Sequence, residues 1–168
     1  MASWAELEFD APELAARAQR CFDAHGHKTI ATLRLDGSPR ICGTELVSYD
    51  GQLWLAGMPG ALRFADLRRD PRFALHSGSD EPEVWRTNPD KAGDAKVAGT
   101  AQEITDAGVT AAVAAAISAD APPKDHAAAG SFELFRLDIT EIVVVRVIED
   151  HLLIESWHEG QGVRRAQR

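Results

Sequence analysis

The sequence predicts an α+β protein in which a small antiparallel β-barrel carries helices at its ends. Short β-branched or alternating segments are separated by tight-turn signals, and only two or three segments repeat apolar residues at helical spacing. The 168 residues, 45% of them hydrophobic, suffice for one domain with its own core. We therefore expect a single domain, with an N-terminal helix at about 11–25, a barrel at about 27–157 and an Arg-rich tail at 158–168.

The first predicted element is an amphipathic helix. Asp10 is a candidate N-cap, Pro12 suits the first turn, and Glu13 can complete a capping box. Gly26 is the predicted end of the helix. The apolar stripe that follows the start consists of Leu14, Ala18, Cys21 and Phe22.

Three antiparallel strands with tight turns are predicted next. Residues 29–35 are rich in β-branched side chains, and residues 36–39 form a turn into a strand at 40–49. Asp50-Gly51 is a strong hairpin signal that leads into a third strand at residues 52–56.

A short helix at residues 61–69 interrupts the strands, and Pro71 prevents it from continuing. A long polar loop is predicted at 78–94, and an alanine-rich helix at 107–119 ends before Pro122-Pro123. The remaining strands are predicted at residues 72–76, 96–105, 132–137, 142–147 and 152–157.

Composition excludes several classes of protein. Cys21 and Cys42 are too few for a disulfide framework and fit a reduced, cytoplasmic setting. The net charge of −8 disfavours nucleic acid as a partner. No apolar run approaches the length of a membrane span, and the N-terminus lacks the features of a signal peptide.

Several standard sequence signatures of enzymes are absent. The chain has no G-x-S-x-G elbow, phosphate-binding Walker loop, H-E-x-x-H or correctly placed G-x-G-x-x-G. His25 and His27 flank a predicted helix end, where histidines are more often surface residues than metal ligands. We therefore expect no metal site.

A candidate anion site lies where the third strand gives way to the short helix. Gly60 precedes this helix, whose first N–H groups have no partner within the helix and therefore attract anions. Arg63 lies in the first turn, and Arg40 on a neighbouring strand could converge on the same anion. A simple connector with surface arginines remains an equal alternative on these residues alone.

An ordered set of segments resembles the pyridoxamine 5′-phosphate oxidase-like proteins, the flavin-binding split barrels. Arg63 stands where this family often has the lysine of a Ser-x-Lys motif, and Ala61 stands at the serine. The resemblance covers residues 25–105 well and the rest loosely. The segments that carry it are the hairpins at 29–40 and 50–55, the loop, helix and strand at 60–75, and the Val-x-Gly-x-Ala strand at 97–101.

The resemblance implies a six-stranded split barrel that forms a homodimer, with the cofactor at the subunit interface. The phosphate would lie near Arg40 and Arg63, and the ring against strand backbone at 41–44 and 54–57. Such a dimer would also bury the strand at 142–147 and Trp157. The cofactor-binding residues that it implies are Arg40, Ile41, Cys42, Gly43, Thr44, Gly57, Gly60, Ala61, Leu62, Arg63 and Trp157.

The activity that the resemblance implies is hydride transfer between FMN and a small molecule. Members of this superfamily also use the deazaflavin coenzyme factor 420 or haem, so a deazaflavin-dependent reductase and a non-catalytic flavin or haem binder are alternatives. A barrel dimer whose cofactor site has decayed is a third. The Arg-x-His element of the true oxidases is replaced by Arg165-Ala166-Gln167, which argues against vitamin B6 as the substrate.

Overall fold

The computed structural model describes residues 1–79, 87, 93–120, 132–148 and 151–168. Its strands are β1 (Lys28–Leu33), β2 (Pro39–Thr44), β3 (Val47–Tyr49), β4 (Gln52–Gly57), β5 (Arg72–His76), β6 (Asp94–Ile104), β7 (Glu133–Ile148), β8 (His151–His158) and β9 (Gly162–Gln167). Its helices are α1 (Trp4–Asp10), α2 (Pro12–Asp23), α3 (Leu62–Arg69) and α4 (Ala107–Asp120). The α+β class is confirmed.

The sheet is antiparallel throughout and has the strand order β2-β1-β5-β6-β7-β4-β3, with β8 paired to β7 and β9 to β8. The two end strands of the seven-strand order, β2 and β3, are separated in the chain only by Glu45 and Leu46. The first and last strands of this order are therefore neighbours in the chain, as in a split barrel. The described residues contain nine strands where the resemblance implied six.

The N-terminal helix differs from the prediction because two helices stand where one was expected. α1 was missed, although Ser3 and Glu6 form its capping box, with the Ser3 N–H donating to Glu6 Oε2 at 2.7 Å. Asp10 is therefore the last residue of α1 and not an N-cap, and α2 has no side-chain cap for Glu13 to complete. The helix also ends at Asp23, before Gly26.

The predicted strand at 40–49 is split in two. β2 pairs with β1, whereas β3 pairs with β4 across the Asp50-Gly51 hairpin, which is confirmed. Asp50 and Gly51 both have positive φ, at 51° and 67°, as a primed hairpin turn requires.

The opposite error occurs in the second half of the chain, where the predicted strands at 132–137 and 142–147 form the single strand β7. Its polar interruption marks a bulge against β6, at which Ala98 pairs with Glu141 but Gly99 pairs with Ile139. Thr140 is the extra residue, and its hydroxyl donates to the Ala98 carbonyl at 3.2 Å.

The prediction of an Arg-rich tail at 158–168 is wrong, because residues 162–167 form β9. Every residue of β9 is exposed on the edge of the sheet. Ile142, Val144 and Trp157 are buried within the single chain, so a dimer is not needed to cover them. No helix in the described ranges has the length and apolarity to cross a membrane. The predicted features at 80–86, 88–92, 121–131 and 149–150 lie outside the described residues.

Candidate functional site

The candidate site is built around the loop between β4 and α3. Gly60 has a φ of +81°, a left-handed conformation that disfavours residues with a Cβ. Ala61 is the N-cap of α3 and has no side-chain oxygen with which to cap it. Its carbonyl accepts from the N–H groups of Phe64 and Ala65, at 2.9 and 3.3 Å. The N–H groups of Leu62 and Arg63 have no acceptor among the described residues, so both can donate to an external acceptor.

The side chain of Arg63, in the first turn of α3, extends to Gly57 at the end of β4. Its guanidinium lies over the Phe64 ring, 4.6 Å from the centroid. A Cβ on Gly57 would stand 2.3 Å from Arg63 Nη2, so a larger residue there would displace the guanidinium from its present position. Phe64 is fully buried and anchors α3 to the core. Gly57 and Arg63, two of the predicted site residues, are thus brought into contact.

The arginines of α3 differ in their partners. Arg68 pairs with Glu103 and with Glu133, and these carboxylates raise its pKa above the ordinary value. Arg69 pairs with Asp66 at 3.1 Å. Arg63, by contrast, has no carboxylate partner among the described residues, and its Nε is buried without a hydrogen bond. Arg63 is therefore the arginine of α3 whose guanidinium is not paired with a carboxylate among the described residues.

Arg40 is held by the carboxylate of Asp66, which was not among the predicted site residues. Asp66 on α3 is buried, and its Oδ2 accepts from Arg40 Nε at 2.6 Å and from Thr32 Oγ1 at 3.0 Å. Burial alone would raise the pKa of Asp66, but the hydrogen bonds from Arg40, Arg69 and Thr32 outweigh it and lower the pKa. The only sequence signal for this role was an acid among the buried positions of an Arg-rich helix.

The predicted residues on β2 alternate between two faces. Arg40, Cys42 and Thr44 are at least partly buried, whereas Ile41 and Gly43 are exposed. A Cβ on Gly43 would meet nothing within 4 Å, so the surface above it is open. The alternation leaves an open strip of backbone at Gly43.

Trp157 is not brought to the other predicted residues within the chain. It is buried on β8, where its strand partners are Ile142 and Val163, and it lines a surface groove beside α1. Arg40 and Arg63 also have different described partners. Their convergence on one anion therefore stays a prediction.

Comparison with known proteins supports the fold. The family model of pyridoxamine 5′-phosphate oxidase matches residues 14–146. No curated protein matches the chain. Solved structures with the same fold include a pyridoxamine 5′-phosphate oxidase-related, FMN-binding protein from Nostoc punctiforme. It has a TM-score of 0.59 and 13% identity, with 99% of each chain covered.

Two further structures are similar to this chain. A NimC/NimA family protein from Clostridium acetobutylicum has a TM-score of 0.61 and 15% identity, over 90% of this chain and 97% of that one. A haem-binding protein from Mycobacterium smegmatis has a TM-score of 0.56 and 16% identity, over 90% of this chain and 86% of that one. At these identities the similarity shows the fold alone.

Proposed function

Because this chain belongs to the pyridoxamine 5′-phosphate oxidase family, we propose that it binds FMN and acts as a flavin-dependent oxidoreductase on a small molecule. The observation that carries the proposal is Arg63, a partly buried arginine without a carboxylate partner among the described residues. It lies beside an uncapped helix N-terminus. Guanidinium and free N–H groups together are the usual donors for a phosphate monoester.

The residues present fit the two ends of FMN differently. Arg63 and the N–H groups of the first turn of α3 would hold the phosphate, and Gly57 leaves the room that the guanidinium needs. Ile41 and Gly43 would face the ring, since the open strip of β2 admits a planar group against the backbone. Bound flavin supplies hydride transfer, and the chain's residues bind and orient it.

We expect Arg63→Ala to weaken FMN binding by about 1.5–3 kcal/mol, roughly 10- to 150-fold in Kd, through loss of a charge-assisted hydrogen bond. Quenching of flavin fluorescence measures the affinity. Arg68→Ala is the matched control, because it removes the same charge from the same helix at a residue already paired with Glu103 and Glu133. Equal affinity of wild type and Arg63→Ala would remove Arg63 from the site.

The second part of the proposal is a homodimer that covers this site. Ile41 and Leu62 expose 73% and 63% of their surface, and Met58 in the loop between β4 and α3 is also exposed. Large apolar side chains near one site are typical of an interface. We expect light scattering to give the mass of two chains, and the mass of one chain would contradict the interface.

The identity of the cofactor is tested by the absorbance of the purified protein. Flavin absorbs at about 370 and about 450 nm, a deazaflavin absorbs at about 420 nm, and haem gives a Soret band. Each absorbance comes from the cofactor's own electronic structure. The fold shared with the Mycobacterium smegmatis haem-binding protein makes haem the relevant second candidate. A flavin spectrum supports the proposal, whereas either of the others replaces FMN.

A further inference from the structure

We infer that Asp66 is a positioning residue that fixes the guanidinium of Arg40 for the phosphate of the bound cofactor. The inference rests on the proposed function, because it assigns a role within the same site. Asp66 would not touch the cofactor. It would act through Arg40 alone.

Asp66 joins three elements at one buried point. Only 3% of its surface is exposed. Its Oδ2 accepts from Arg40 Nε on β2 at 2.6 Å and from Thr32 Oγ1 on β1 at 3.0 Å. Its Oδ1 accepts from Arg69 Nη2 on α3 at 3.1 Å. All of these donors bind one carboxylate. Asp66 therefore fixes the position of α3 relative to the β1–β2 hairpin, and it does so at the residue that accepts from Arg40.

The contact orients Arg40 without using up its hydrogen-bonding capacity. Asp66 takes the Nε donor, and the described residues contain no other hydrogen bond of the Arg40 side chain. The two terminal nitrogens therefore keep their donors for an anion. Arg40 is 19% exposed at its side chain, so a ligand can reach it, but its stem is held.

The charges around Asp66 leave an excess of positive charge. Asp66 pairs with both Arg40 and Arg69, and Arg69 also donates to the Leu33 carbonyl. One carboxylate thus pairs with two guanidinium groups. A carboxylate that only neutralised a single buried arginine would leave no excess of positive charge. An arginine held beforehand also loses less conformational entropy on binding an anion.

A purely structural tie between α3 and the hairpin predicts a different result from a positioning role. Loss of a structural tie weakens the binding of any flavin, whereas loss of positioning weakens only the binding that depends on phosphate. Riboflavin has the ring of FMN without the phosphate. The ratio of the two affinities therefore separates the two roles.

The test measures Kd for FMN and for riboflavin in wild type and in Asp66→Asn. We expect Asp66→Asn to bind riboflavin like wild type and to lose about tenfold in FMN affinity, the size of one charge-assisted hydrogen bond. Asp66→Glu keeps the charge but moves the carboxylate by one methylene, and it carries the same expectation if Asp66→Asn does not fold. Glu103→Gln, at the exposed pair with Arg68, is the control and should leave the ratio unchanged.

A double-mutant cycle with Arg40→Ala completes the test. If Asp66 acts through Arg40, Asp66→Asn causes no further loss of FMN affinity once Arg40 is alanine. Equal losses for FMN and riboflavin, or additive losses in the cycle, would overturn the inference. Wild type that binds FMN no better than riboflavin would instead overturn the proposed function itself.

Discussion

Glu155→Ala is expected to lower the free energy of unfolding by about 3–5 kcal/mol, the usual loss when one partner of a buried ion pair is removed. Glu155 on β8 is 2% exposed. Its two oxygens accept from Arg17 Nη1 at 3.2 and 3.1 Å, from Arg146 Nη2 at 3.0 Å and from Arg165 Nε at 2.9 Å.

The size of the effect follows from what the alanine leaves behind. Arg17 and Arg146 are mostly buried, with side-chain exposures of 21% and 15%, and would keep their charge without this carboxylate. Arg165 is 63% exposed, so water replaces its partner at little cost. The carboxylate also links α2, β7 and β9 to β8 through these three arginines.

Urea unfolding monitored by tryptophan fluorescence measures this loss. Glu13→Ala is the matched control, because Glu13 also pairs with Arg17 but is 75% exposed at its side chain. We expect that control to cost less than about 1 kcal/mol. A similarly small loss of unfolding free energy for Glu155→Ala would show that the ion pairs of Glu155 with Arg17, Arg146 and Arg165 stabilise the protein no more than surface pairs do.

Gly99→Ala is expected to destabilise the protein by about 3 kcal/mol or more, since overpacking against a backbone cannot be relieved by a rotamer change. A Cβ on Gly99 would lie 1.9 Å from the Asp138 carbonyl oxygen and 3.1 Å from Ile139 Cα. This is the point at which β6 and β7 shift register. The two central strands would have to separate at the bulge.

Gly43→Ala provides the comparison for this substitution. Gly43 also lies in a strand, but a Cβ there meets nothing within 4 Å. We expect its effect on the free energy of unfolding, measured by urea unfolding, to stay within about 1 kcal/mol, the range of ordinary strand propensities. Equal stabilities of the two alanine variants would contradict the close approach of β6 and β7.

Local signals in the sequence predicted much of the first half of the fold. The Asp50-Gly51 turn fixes its hairpin through backbone conformations that these residues readily adopt. The strand at Arg72–His76 was predicted with the bounds that it has, because Pro71 and the preceding helix delimit it. The glycine of the Val-x-Gly-x-Ala segment also has a physical reason, the contact of Gly99 with β7.

The features that the sequence did not predict depend on distant residues. β9 exists because β8 supplies its hydrogen-bond partners, whereas its own residues are exposed and read as a polar tail. The polar residues inside β7 are tolerated because a bulge lies there. Asp66 was missed because its partners Thr32 and Arg40 are 34 and 26 residues away in the chain.

We expect the loop and helix around Arg63 to hold the phosphate of FMN. Parallel titration of FMN and riboflavin into the wild-type protein, followed by flavin fluorescence, tests it most directly. We expect FMN to bind at least about tenfold more tightly than riboflavin, because only FMN offers an anion to the guanidinium groups. Equal affinities, or FMN binding no tighter than about millimolar, would contradict the claim.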